Sequence, residues 1–422
     1  MTKIIAITFV VILQVAVICA VYASSDVSVI QCGTIVDASL EEPLSEVSLL
    51  VRDGTIVAIG NDFVVPQGAK IIDLSGAYCL PGFIDMHVHL MYDPTVPLET
   101  TLSQSSAQKV LTGMRNAQTM LNNGFTTLRI AGDLDKENGI INLRDAIARK
   151  EIIGPRLVVA AHGISAESAD FGTVTGTTSM RSAVRKEIRL GSDWIKLYGS
   201  GSIMSARENP DTQTLTNAEI QVAVEEAHRH GKKVAVHAHS SAAVIASARA
   251  GADTIEHGTL MTDAAIQAMR DSDTTYIPTL YALDHLVNGG ITDAIPKSFY
   301  DKAVAADARH DENFQKVLKS GVNIALGSDT VFPHELAARE FGAMVGLGMD
   351  PMAAIAAGTI VAARVLGLSD ITGSIEVGKK ADIVAVLDNP IENIQTLEEV
   401  IFVMRSGKVI KHKKPPSSAA LH

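Results

Sequence analysis

Four histidines, a lysine and an aspartate stand at comparable places in a sequence that is otherwise apolar around them. His87 and His89 close the run 83–88, two residues apart, so in a strand both imidazoles point to one side. Lys196 lies inside Asp193-Trp194-Ile195-Lys196-Leu197, His237 ends the run 233–236, His257 ends 254–255, and Asp329 follows 322–326 in Leu326-Gly327-Ser328-Asp329. A single histidine at a strand end is more often structural than a ligand. A set that also includes a carboxylate has the donors that suit Zn²⁺ or a neighbouring first-row metal. Removal of an N-terminal export segment would leave only Cys32 and Cys79, too few for a cysteine-based metal site, so histidine, carboxylate or a modified side chain must supply the ligands.

These residues need elements that bring them together. Eight short apolar runs, at 83–88, 126–130, 157–160, 194–197, 233–236, 254–255, 275–277 and 322–326, each precede a stretch with helical spacing. Residues 218–230 and 241–250 are examples, with Gly231 and Gly251 as helix stops. That count and order predict an α/β fold, a (β/α)₈ TIM barrel, with the chemistry-bearing residues at one mouth. A doubly wound open sheet is the alternative, but no Gly-rich dinucleotide fingerprint follows the first run. Outside this region the texture is short, β-branched and punctuated by turns. Asp53-Gly54 and Ser406-Gly407 mark hairpins, and the two β-rich ends predict a small β-sandwich built from both termini. The division expected is therefore 24–80 and 373–411 for the sandwich, 81–372 for the barrel, and 412–422 as a disordered basic tail, the disorder setting in from Lys411.

The motifs Pro81-Gly82-Phe83-Ile84-Asp85-Met86-His87-Val88-His89, Ile195-Lys196, Val236-His237-Ala238-His239, Ile255-Glu256-His257-Gly258 and Ala325-Leu326-Gly327-Ser328-Asp329 resemble those of the amidohydrolase superfamily. The resemblance covers almost the whole chain after the N-terminal segment. It is nearest to the imidazolonepropionase-like branch with Xaa-Pro dipeptidases, Lys/Arg carboxypeptidases and ochratoxinase. It implies that His87, His89 and Asp329 bind a buried metal, that His237 and His257 bind a more exposed one, and that Lys196, carboxylated on its amine, bridges them. Zinc, as one ion or a binuclear pair, is the cofactor so implied. The isolated reading of Lys196 is a strand-end lysine paired with an acid. The resemblance further implies a metal-bridging hydroxide, with Asp329 as general base and then general acid. His239 is either a stabiliser of the oxyanion or a residue behind the ligands. Ser200-Gly201-Ser202 resembles a Ser-Gly-Gly substrate loop of this branch. The third loop, from His162 to Gly172, lacks the histidine that relatives offer to a substrate carboxylate. His162, Arg181, Arg185 and the backbone and hydroxyls of Ser200–Ser202 are then the candidates for that role, and a solvated helix residue is the other reading of Arg185.

Composition narrows the alternatives. With 36 basic and 47 acidic residues the formal charge is −11, and no basic stripe exists for nucleic acid. Lys3, the apolar run 4–21 and Val21-Tyr22-Ala23 predict a signal peptide over 1–23, a membrane anchor being the alternative, and an exported, periplasmic or secreted protein. Cys32 and Cys79 then form either a cystine or two buried thiols. The expected partner is a small molecule with an amide bond, a dipeptide or N-acyl amino acid. Hydrolysis of a cyclic amide or lactone is the alternative, and a non-catalytic metal-binding relative is the third reading. A homo-oligomer is left open.

Overall fold

The computed structural model describes residues 26–169 and 173–413; the expected signal peptide lies outside the described residues. The strands, in chain order, are β1 (Val27–Ile35), β2 (Leu44–Arg52), β3 (Thr55–Gly60), β4 (Lys70–Pro81), β5 (Phe83–Val88), β6 (Phe125–Ala131), β7 (Arg156–Ala160) and β8 (Gly163–Ile164). They continue with β9 (Trp194–Tyr198), β10 (Lys233–Ser240), β11 (Thr254–Leu260), β12 (Thr275–Ile277), β13 (Ile383–Val386), β14 (Phe402–Arg405) and β15 (Lys408–His412). Among the described residues no helix is long and apolar enough to cross a membrane.

Strands from the two ends of the chain do pair, in one seven-stranded mixed sheet ordered β15-β14-β13-β4-β1-β2-β3, where a two-layer sandwich is the expectation from sequence. Both predicted hairpins form: Asp53 and Gly54 have φ of 49° and 77°, and Ser406 and Gly407 have 47° and 78°, the left-handed pair a two-residue turn requires. The turns stack, because a Cβ on Gly407 would lie 2.5 Å from Cα of Gly54. Lys411 and His412 are not disordered as expected. They complete β15, paired with Val403 and Phe402, and the Lys411 ammonium donates to the Asn122 carbonyl.

Cys32 on β1 and Cys79 on β4 form a disulfide, with Cα atoms 6.0 Å apart and a sequence separation of 47. Closing that loop restricts the unfolded chain. The double substitution Cys32→Ser/Cys79→Ser is expected to cost about 2–4 kcal/mol of unfolding free energy. Urea denaturation would read this as a lower midpoint, with kcat unchanged because both sulfurs sit in the terminal sheet's own core with Ile30, Leu74 and Phe402.

Between these ends the chain alternates strand and helix. β5, β6 and β7 form one parallel sheet, and β8 to β12 form another in the order β12-β11-β10-β9-β8. Helices Asn217–Arg229 and Ser241–Ala250 fall where their spacing predicts; the first begins with a Thr216/Glu219 capping box and the second ends on left-handed Gly251. The Asp193 N–H bonds the Val159 carbonyl across from one parallel sheet to the other.

The eighth run, 322–326, is extended but not a ladder strand. It makes a single parallel bridge, Tyr276 to Ile324. The Leu326 carbonyl accepts from Met86 on β5, while its N–H turns away to the Ala357 carbonyl, where helix Pro351–Ala356 passes into a π-helical turn. With that donor diverted and the Ser328 N–H bonded to the Asp85 carboxylate, no ladder forms with β5. Gly327 lets the segment pass close to β5, since a Cβ there would lie 2.9 Å from the His87 Cβ.

Candidate metal centre

The strand ends converge as the sequence predicts. Nε2 of His87 and Nε2 of His89 are 3.3 Å apart, and Oδ1 of Asp329 lies 3.5 Å from the first and 3.2 Å from the second. On β10, His237 and His239 alternate onto one face with ring centroids 4.6 Å apart, and His257 of β11 stands 4.6 Å from His237 and 4.8 Å from His239. Two groups of three donors result, His87/His89/Asp329 and His237/His239/His257, with the donor atoms of each within 4.8 Å of one another. Asp329 is placed by its own N–H, which donates to the His87 carbonyl at 2.7 Å. Asp329, His257 and Thr279 all hold positive φ, at 49°, 73° and 55°, so left-handed backbone is concentrated where the donors meet.

Four of the five imidazoles are oriented from behind, through Nδ1. Nδ1 of His87 lies 2.7 Å from Oε2 of Glu256, Nδ1 of His89 2.6 Å from the Gly132 carbonyl, Nδ1 of His257 2.8 Å from Thr279 Oγ1, and Nδ1 of His239 2.9 Å from Thr259 Oγ1. Arg129 on β6 donates to both Glu256 oxygens at 2.7 Å and to Thr254 at 2.9 Å. Asp85 accepts from the His87 and Ser328 backbones and from the Ser328 hydroxyl, tying β5 to the eighth run. Motif spacing alone marks no role for Arg129, Glu256 or Asp85. Their signal was a charged residue inside a fully buried parallel strand, which must have a partner.

Burial, then Lys196, draws His87 down to about 4 and His237 to about 3. Burial, then His237, puts His239 and His257 well below an ordinary imidazole. Neutral rings are the form that ligates a metal. For His89 burial opposes the charge, but Asp329 and Asp133 raise it. Burial also works against ionising Asp329, yet His87, His89 and Lys196 hold its carboxyl well below the usual range.

Lys196, on β9, is fully buried, and among the described residues its Nζ has no hydrogen-bond partner. Burial brings it down to about 8, with Glu256 opposing. An ammonium placed among four imidazoles is poorly served. The donor set around it fits divalent metal ions: neutral imidazoles, an ionised carboxylate, and an amine able to be carboxylated.

Ser200 and Ser202 line the same cavity, and the Gly201 carbonyl lies 3.3 Å from Nε2 of His237. The three basic candidates do not reach it. His162 is held by Glu187, at 3.1 Å, and by the Glu137 carbonyl, at 2.8 Å. Arg185 and Arg181 lie on helix Gly176–Leu190 and turn to Glu226 of the neighbouring helix, with nitrogen–oxygen distances of 2.6 and 3.6 Å. The reading of Arg185 as a helix-surface residue is the one the structure supports. Arg181→Ala and Arg185→Ala are accordingly expected to leave kcat/KM within about twofold of wild type, measured on any substrate turned over.

Residues 78–410 match the family model described as Amidohydrolase family. Ochratoxinase of Aspergillus niger is 27% identical over 93% of this chain and 88% of its own length. A crystal structure of a Xaa-Pro dipeptidase with bound methionine in the active site superposes with a TM-score of 0.85 at 31% identity, covering 91% of this chain and 99% of that one. A prolidase complexed with N-methylphosphonate-L-proline gives 0.85 at 26% identity, covering 92% of this chain and 100% of the other.

Proposed function

The chain belongs to the amidohydrolase family, and from that premise we propose a metal-dependent hydrolase that splits an amide into acid and amine at the centre formed by His87, His89, Lys196, His237, His257 and Asp329. The observation that carries this reading is the buried Lys196 Nζ, which has no hydrogen-bond partner among the described residues, in the cavity lined by both groups of metal donors. Carboxylation would replace a misplaced cation with two anionic oxygens. His87, His89 and Asp329 would hold one zinc ion, His237 and His257 a second, and carboxylated Lys196 would lie between. We read the parallel strands and the eighth run as one (β/α)₈ barrel, supported by the Met86–Leu326 and Asp193–Val159 backbone bonds, and residues 26–80 and 373–412 as a second, β-rich unit.

Bound metal supplies Lewis acidity, lowering the pKa of water and polarising a carbonyl. The protein's own groups do the rest. Ionised Asp329 takes a proton from the attacking water and delivers it to the departing nitrogen. His239, kept neutral by burial, would donate from Nε2 to the developing oxyanion in the tautomer where the Thr259 hydroxyl donates to Nδ1. Glu256, ionised against Arg129, fixes the His87 ring. The Cys32–Cys79 disulfide supports an exported protein, since cystines persist in oxidising compartments.

Purified protein should carry about one to two equivalents of divalent metal, with hydrolysis abolished by chelation and restored by zinc. The panel should include dipeptides, N-acyl amino acids and their amides, and lactones. Full activity in metal-free protein would overturn the reading.

A further inference from the structure

β11 outruns its neighbour on one side. β12 is three residues long, and its register ends where Glu256 faces Ile277, so His257 and the residues after it lie beyond that ladder. The main chain there leaves extended geometry, with φ of 73° at His257 and 58° at Gly258. Glycine occupies that left-handed region freely, whereas a residue with a Cβ keeps to it only where its surroundings hold it.

Two side chains converge on the His257 carbonyl. The Tyr276 hydroxyl, from β12, donates to it at 2.6 Å, and Nε2 of His310, on helix Lys297–Leu318, lies 3.1 Å from the same oxygen. A carbonyl only accepts, so the His310 bond places a proton on Nε2. One turn further along that helix, Nδ2 of Asn313 donates to the Thr259 carbonyl at 3.0 Å and the Met261 carbonyl at 2.9 Å. The Tyr276 ring also lies against Gly258, where a Cβ would come within 2.8 Å of it. Tyr276, His310 and Asn313 are all buried. Two other donor histidines are anchored differently: the His87 carbonyl accepts from the Asp329 N–H at 2.7 Å, and the His237 carbonyl from the Gly199 N–H at 2.9 Å. At His257 the anchors are side-chain groups, so each can be removed singly.

Resting on the reading of this site as a metal centre with His257 among its ligands, we propose that Tyr276 and His310 are positioning residues. They hold the left-handed backbone of His257 and so set how tightly the centre keeps the ion that His257 serves. The Thr279 bond to Nδ1 orients the ring, and the two donors on the carbonyl orient the backbone that carries it. Losing either donor weakens the hold on a buried carbonyl and lets φ relax, which turns the imidazole away from the other ligands.

The test is a zinc titration of metal-free, full-length protein against a chromophoric chelator, for wild type, Y276F, H310L and H310Q. Y276F deletes one hydroxyl and H310L one ring donor, whereas the amide nitrogen in H310Q has about the reach of the imidazole Nε2. Y276F and H310L should each weaken the more loosely held zinc by about ten- to a hundredfold, the effect typical of partners behind a metal ligand, with the tighter ion within about threefold of wild type. H310Q should recover most of that loss. If wild type binds one ion, the same loss is read on that ion. Melting curves of the metal-free proteins accompany each titration, and Y276F alone decides if a His310 variant does not fold. Unchanged zinc affinity in Y276F and H310L overturns the inference. Equal weakening of both ions with a lower metal-free melting temperature also overturns it, because that marks the two side chains as supports of the fold alone. Wild type that binds no zinc counts against the metal reading itself, and the inference falls with it.

Discussion

Replacing Lys196 with Ala is expected to lower kcat/KM by at least about a thousandfold, the size of effect seen when a group essential to the transition state is removed. It should also reduce the bound metal. The side chain is fully buried, so the substitution leaves a space lined by imidazoles rather than a surface change. If the wild-type amine is carboxylated, a short carboxylic acid such as acetate or propionate fits that space and supplies the missing oxygens, so activity and metal content should partly recover together as acid is added. If Lys196 acts as an ammonium, ethylamine should rescue and acetate should not. Metal content measured beside activity separates the two, and mass spectrometry of the native protein, read for the added mass of carbon dioxide, gives a check that does not depend on turnover. Burial brings the Lys196 amine down to about 8, so more of it than of an ordinary lysine is unprotonated at neutral pH, the form that reacts with carbon dioxide.

What the sequence made legible followed from local rules. Strand alternation was enough to put His87 beside His89, and a glycine stop was enough to end Ser241–Ala250 at Gly251. The metal donors were legible because each is a polar residue where an apolar run ends. The basic candidates for carboxylate recognition were not, because their partners are far away in the chain: Arg185 faces Glu226 across two helices, and His162 is held by Glu187, 25 positions later. The eighth run reads as a strand by composition, yet its ladder is interrupted where Leu326 donates to the Ala357 carbonyl and Ser328 to the Asp85 carboxylate, partners no local pattern announces. Arg129 and Glu256 illustrate a middle case. Each is visible as a charge in a buried strand, but their pairing at 2.7 Å requires β6 and β11 to face each other in space. Local alternation does not carry that information.

Asp329→Asn is expected to lower kcat by about 10²–10⁴-fold, the range associated with loss of a positioned general acid–base group. Asparagine keeps the shape and one carbonyl oxygen, so the His87 backbone bond to the 329 N–H and the local left-handed turn should survive. What disappears is the proton acceptor. In the native protein the Asp329 carboxyl stays ionised through neutral pH because His87, His89 and Lys196 outweigh the cost of burying it. An amide can neither accept the water's proton nor return it to the departing nitrogen, and both halves of the transfer fail together. Since Asp329 also belongs to one donor group, metal content must be measured alongside kcat, with zinc held in excess. Loss of kcat at full metal occupancy, with KM little changed, assigns Asp329 to proton transfer. Loss that only tracks metal occupancy would make it a ligand and nothing more. Leaving-group dependence sharpens the distinction: an ester, whose alkoxide departs with less need of a proton than an amine, should lose less than the matched amide in D329N, whereas a pure ligand defect should reduce both alike.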